Sequence, residues 1–124
     1  MMVDRPLVSV VDDDESVRES LPDLLREFGF AAEAFASAEE FLASDRIGQT
    51  RCLILDVAMP GMSGPDLHRE LLRRRQKIPT VFITAHGSEA TRPQLIAQGA
   101  VDCLLKPFSD TALREAIDAA LRAR

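Results

Sequence analysis

The chain has no tryptophan and no tyrosine, so its aromatic surface rests on six phenylalanines. It has only two cysteines, Cys52 and Cys103. They are far apart and form neither a metal-ligand spacing nor a disulfide framework, which fits a reducing, cytoplasmic location. No apolar run is long enough to span a bilayer, so no membrane segment is expected. The N-terminus has no basic stretch followed by a long apolar region, so no export signal is expected. A cationic surplus is missing too: 15 Lys and Arg stand against 20 Asp and Glu, for a formal net charge of −5. That sign argues against direct nucleic-acid binding, which needs a cationic face.

What is present is the composition of a folded domain. Apolar residues make up 46% and charged residues 28% of 124 residues. That is enough chain for one domain, expected over 1–124, with one real core. Short apolar runs bounded by turn residues read as buried strands: Leu7 to Val11, Cys52 to Leu55, Pro79 to Thr84 and Val101 to Leu105. Ala31 to Phe35 is weaker and more polar and reads as an edge strand.

Helices fill the intervals. Ser16-x-x-Glu19, Ser37-x-x-Glu40 and Ser63-x-x-Asp66 read as capping boxes, Thr91-x-x-Gln94 as the cap of a short helix, and Ser109 as the last cap. Pro22 falls inside the first helical pattern and predicts a kink or a late start. Leu67, Leu71 and Leu72 are expected inward on the third helix, with His68 on its surface. Arg73-Arg74-Arg75-Gln76-Lys77 reads as a solvated basic helix end. Pro93 breaks any long helix from Ser88, leaving a short one with Leu95 and Ile96 inward.

Five strands alternating with five helices make an α/β fold with a parallel sheet. Right-handed crossovers and helices on both faces predict the flavodoxin-like order 2-1-3-4-5, with the ligand site at the switch point between strands one and three. In that order the two cysteine strands are two spacings apart, about 10 Å, too far for a disulfide.

The strand ends carry the chemistry. Strand one ends at Asp12 and Asp13, strand three at Asp56, strand four at Thr84 and strand five at Lys106. Read singly, each has an ordinary explanation: an acidic turn, a strand-end hydroxyl, a surface lysine. Together they point to a site. Three close carboxylates need a cation or protonation. All-oxygen donors favour Mg²⁺. A carboxylate is a competent phosphoryl nucleophile, and its chief needs are positioning and charge neutralisation.

Val10-Val11-Asp12-Asp13-Asp14, Leu55-Asp56, Met59-Pro60-Gly61-Met62-Ser63-Gly64, Ile83-Thr84-Ala85 and Lys106-Pro107-Phe108 resemble the signature set of response-regulator receiver domains of two-component systems. Val17-Arg18-Glu19-Ser20-Leu21, Ser37-Ala38-Glu39-Glu40-Phe41-Leu42 and Thr84-Ala85-His86-Gly87 are similar to the branch joined to helix-turn-helix DNA-binding output domains. The resemblance implies a phosphoacceptor at Asp56, loaded by a partner histidine kinase. It implies Mg²⁺ held by Asp12 (through a water), Asp13, Asp56 and the carbonyl of Ala58. It makes Thr84 the switch hydroxyl and Lys106 its charged companion, joined to Pro107 by a cis bond. It also implies a transcription-regulating output domain in a longer chain and a homodimer through the fourth and fifth helices. No separate turnover substrate is expected.

Three features depart from the family pattern. Cys103 stands where receivers carry Tyr or Phe. Pro93 disturbs the fourth helix. Ala58 and His86 occupy the variable positions beside the phosphoryl site. Cys103 and Pro93 motivate an alternative, a receiver-fold interaction module that works without phosphorylation. A third reading makes Asp12 the nucleophile and Asp14 the acid of a small phosphatase, although the chain lacks that class's following Thr motif and cap segment.

Overall fold

The structure is a computed structural model and describes residues 5–123. The extreme ends of the expected 1–124 domain, and part of the N-terminal reading on export, lie outside the described residues. The chain runs β1 (Leu7–Val11), α1 (Glu15–Glu27), β2 (Ala31–Phe35), α2 (Ala38–Ala43), a 3-10 turn (Ile47–Gln49), β3 (Thr50–Asp56), α3 (Gly64–Arg73), β4 (Thr80–Thr84), α4 (Thr91–Ala97), β5 (Asp102–Leu105) and α5 (Asp110–Arg122). The five strands are parallel in the order β2-β1-β3-β4-β5, as expected. Among the described residues no helix is long and apolar enough to cross a membrane.

The continuous apolar character of the inner strands follows from burial on both faces. Successive side chains of β3 point opposite ways. Cys52 and Ile54 join Val8, Val10, Val81 and Ile83 under Leu21 and Leu25 of α1 and Leu113 and Ile117 of α5. Leu53 and Leu55 join Val11 and Phe82 under Phe41 of α2, Leu67 and Leu71 of α3 and Leu95 of α4. Cys52 and Cys103 are buried and free.

Several local expectations are corrected. Helix α1 starts at Glu15, capped by Asp14, whose carboxylate accepts the Ser16 backbone N–H at 2.9 Å. The Ser16 hydroxyl donates to the same carboxylate at 2.8 Å, so it is engaged by Asp14 and does not cap the helix at Glu19. The helix runs through Pro22 without a late start. Pro22 is buried beside Leu21 and Leu25, and that packing offsets the lost hydrogen bond, which costs about 3 kcal/mol. Ser37, Ser63 and Ser109 cap their helices as expected.

On α3 the inward set is Gly64, Leu67, His68 and Leu71. His68 is thus a core residue, and Leu72 is 43% exposed. Of the basic run, Arg73 and Arg74 both bond Glu70, which secures this end of the helix. Helix α4 has Ala90 at its N-cap position with no side-chain cap, so Thr91 opens the helix rather than capping it. Pro93 sits in the first turn, where its missing N–H has no intrahelical acceptor to lose. Leu95 is buried, but Ile96 is 38% exposed.

Candidate functional site

The rim of the sheet at the carboxyl ends of the strands assembles the site. Parallel registry sets Val11 against Leu55, Asp56 against Ile83, and Thr84 against Leu105. The residues that follow β1 therefore lie beside the end of β3. One oxygen from each of Asp12, Asp13 and Asp56 falls within 4.8 Å of the others. Asp12 is fully buried, Asp56 is 6% exposed, and Asp13 is open to solvent.

Asp12 is held on every side. Its Oδ1 accepts the Asp14 N–H at 2.9 Å, its Oδ2 accepts the Lys106 ammonium at 2.8 Å, and its carbonyl accepts from Arg18 at 3.1 Å. Lys106 also lies 4.0 Å from Asp56 Oδ1. Burial opposes its charge, but the hydrogen bond and charge of Asp12 outweigh burial and hold its pKa above the ordinary value. Asp56 goes the other way. Burial first, then the Asp12 carboxylate, push it up to about 7 against the pull of Lys106. A buried carboxylate beside a second one needs a proton or a cation. The donor set is all oxygen, as hard divalent cations require, so these residues fit such an ion.

The flanking groups are placed less directly. The Thr84 hydroxyl is turned onto His86, accepting its N–H at 3.2 Å and donating to its carbonyl at 3.1 Å. His86 itself is exposed. Cys103 is buried and lines a cavity of about 140 Å³ with Thr84, Gly87 and Thr91. The Lys106–Pro107 bond is cis. Ala58 is exposed on the loop after Asp56. Asp14 spends its carboxylate on Ser16, which holds its pKa below the ordinary carboxylate value. That carboxylate is committed to capping the start of α1.

Two contributors stand in the quoted motifs with no role of their own read from the sequence. Arg18 reaches back from α1 to the Asp12 carbonyl. Gly64, read only as part of a motif, lies so close to Asp56 that a β-carbon there would overlap the Asp56 carbonyl oxygen. Its N–H bonds the Val57 carbonyl at 3.0 Å, which closes the loop that carries Ala58.

The model of the response regulator receiver domain matches residues 8–118. The chain is 46% identical over 116 residues to nodulation protein W of Bradyrhizobium diazoefficiens, covering 94% of this chain and 51% of that protein. It is 42% identical over 113 residues to the transcriptional regulatory protein FixJ of Rhizobium meliloti, covering 91% of this chain and 55% of that one. It spans about half the length of these curated relatives. Among solved structures, the crystal structure of FixJ-N superimposes with a TM-score of 0.85 at 41% identity, covering 99% of this chain and 98% of that one. The response regulator StyR gives 0.87 at 47% identity, with 96% and 60% covered. Fold, rim chemistry and a family match over nearly the whole chain agree: this chain belongs to the response-regulator receiver domains of two-component systems.

Proposed function

We propose that Asp56 is the phosphoacceptor of this receiver, loaded by a partner histidine kinase with Mg²⁺ held by Asp12, Asp13, Asp56 and the Ala58 carbonyl. The observation that carries this is the meeting of three carboxylates within 4.8 Å, with Lys106 against two of them. A carboxylate oxygen of Asp56 attacks the phosphorus. The P–N bond to the donor imidazole breaks, and its electron pair stays on the nitrogen, which takes a proton from solvent. When bound, Mg²⁺ supplies positive charge against the phosphoryl oxygens. Lys106, 4.0 Å from Asp56 Oδ1, adds a fixed cation for a phosphoryl oxygen. Leaving His86, the Thr84 hydroxyl donates to a phosphoryl oxygen. That exchange frees the His86 N–H and carbonyl and shifts the loop leading into α4.

The surface change then passes to a DNA-binding output domain in a longer regulator, and a homodimer through α4 and α5 belongs to this reading. Support comes from relatives named as transcriptional regulators, about twice the length of this chain, and from Ile96 and Leu105, exposed on α4 and β5. The domain turns over no separate substrate, works in the cytoplasm and does not itself bind DNA. Cys103 favours one competing reading, a module indifferent to phosphorylation, because a thiol cannot swing as an aromatic ring does. That reading expects equal partner affinity with and without a phosphoryl mimic.

The test is intact mass after incubation with acetyl phosphate, with and without Mg²⁺, for wild type and Asp56→Asn. A Mg²⁺-dependent gain of one phosphoryl group, lost in the variant, is expected. An adduct that survives Asp56→Asn would overturn the assignment.

A further inference from the structure

The loop between β3 and α3 has a tie that no part of the mechanism uses. Its two ends are anchored within itself, by Asp56 closing β3 and by Gly64 N–H on the Val57 carbonyl at 3.0 Å. Its outer turn is held from elsewhere. Glu39, in the first turn of α2, sends Oε2 to the Met62 N–H at 3.0 Å, across 23 residues of sequence. The neighbouring Gly61 has φ +75°, and a β-carbon there would lie 2.8 Å from the same Glu39 oxygen. The carboxylate therefore lies against the bare backbone of the turn, a fit that a side chain at Gly61 would spoil. Among the described residues the Glu39 carboxylate has no other hydrogen-bond partner and no ion pair, so this oxygen is committed to the loop. Met59 is 8% exposed and packs with the core shared by Phe41 of α2. Helix α2 thus holds the loop through one charged hydrogen bond, beside a core to which both Met59 and Phe41 belong.

We propose that Glu39 is a positioning residue for the cation site: by clamping Met62 it fixes the loop that presents the Ala58 carbonyl beside Asp56. The inference rests on the reading of that carbonyl as a ligand. Glu39 is exposed and outside the acidic group of Asp12, Asp13 and Asp56, so it acts through the backbone and not as a ligand. A loop left free to wander must be ordered when the ion binds, which weakens binding. A charge-assisted hydrogen bond at an exposed turn supports a change of roughly threefold to tenfold.

The experiment compares wild type, Glu39→Ala and Glu39→Gln by NMR. Two readouts are taken: amide hydrogen exchange at Gly61 and Met62 without metal, and Mg²⁺ affinity by titration. Glu39→Ala is expected to speed Met62 exchange and weaken Mg²⁺ affinity, each by roughly threefold to tenfold. Glu39→Gln keeps an acceptor oxygen and is expected to restore most of both. A general fold defect would instead speed exchange across β1 and β3 as well, and that outcome overturns the proposal. So does Mg²⁺ affinity unchanged in Glu39→Ala, or a failure of Glu39→Gln to rescue. If wild type itself binds no Mg²⁺, the site reading fails, and the metal role of Glu39 fails with it. The exchange data alone then report whether the clamp exists.

Discussion

His68 is a buried imidazole with a nitrogen left over. It is 4% exposed, meets the Phe82 ring edge-on at 5.7 Å between centroids, and its Nδ1 has no hydrogen-bond partner. Burial first, and Arg69 second, hold its pKa below 6.5. The folded state therefore binds fewer protons at His68 than the unfolded chain does. Stability from this residue is present above 6.5 and is lost as pH falls below it. His68→Leu removes both the orphaned nitrogen and the titration. A gain of about 1–3 kcal/mol is expected, larger near pH 5 than near pH 8, read from urea midpoints. The sequence pattern put His68 outside because imidazole is polar. Helical spacing alone admits both His68 and Leu72 beside the Leu67 and Leu71 stripe. Helix α3 packs with Phe82 against His68, while Leu72 stays in solvent.

At the scale of elements, α4 stands apart. It has seven residues, no side-chain cap and one buried residue, Leu95. Helices this short are marginal by themselves. Its outer tie is Arg92 Nε to Asp102 Oδ1 at 2.7 Å, and the same carboxylate oxygen accepts the Cys103 N–H at 2.7 Å. An exposed ion pair is worth only about 0–1 kcal/mol globally, but local opening responds to such small terms. Asp102→Ala is expected to speed amide exchange across Thr91–Ala97 severalfold, leave α1 and α5 unchanged, and lower global stability by less than about 1 kcal/mol. Exchange measured by mass spectrometry or NMR checks this. The sequence signalled a short fourth helix through Pro93 and Gly99. The Arg92–Asp102 tie depends on a contact between neighbouring elements and has no local signature.

Across the whole molecule, stability is linked to the state of the rim. Asp56 sits near 7 because of burial and then Asp12, against an ordinary value of 3.8. Its raised pKa means that the folded state keeps a proton that the unfolded chain has released. Its favourable contribution is complete below 3.8 and is lost as pH rises through about 7. Near pH 8 the metal-free fold carries the full penalty of a buried charge beside Asp12, and a bound divalent cation relieves it. Saturating Mg²⁺ is therefore expected to raise Tm by several degrees near pH 8 and by much less near pH 5. Asp56→Asn is expected to raise the metal-free Tm near pH 8 and flatten the pH dependence from about 4 to 7. Calorimetry of both chains checks each outcome.

The parallel α/β architecture and the placement of Asp12, Asp13, Asp56, Thr84 and Lys106 at strand ends were determined by the sequence itself. Those signals are local: apolar runs of strand length, serine caps, and turn residues at the ends of runs. With right-handed crossovers they leave few ways to close the sheet. Tertiary structure decided what the strand-end groups do to one another. It paired Lys106 with Asp12 across 94 residues, turned Thr84 onto His86, drew Glu39 to Met62 and buried His68. The Lys106, Glu39 and His68 contacts depend on neighbours distant in the chain, and the Thr84 contact on the rotamer taken at the strand end; no periodicity along the chain carries that information.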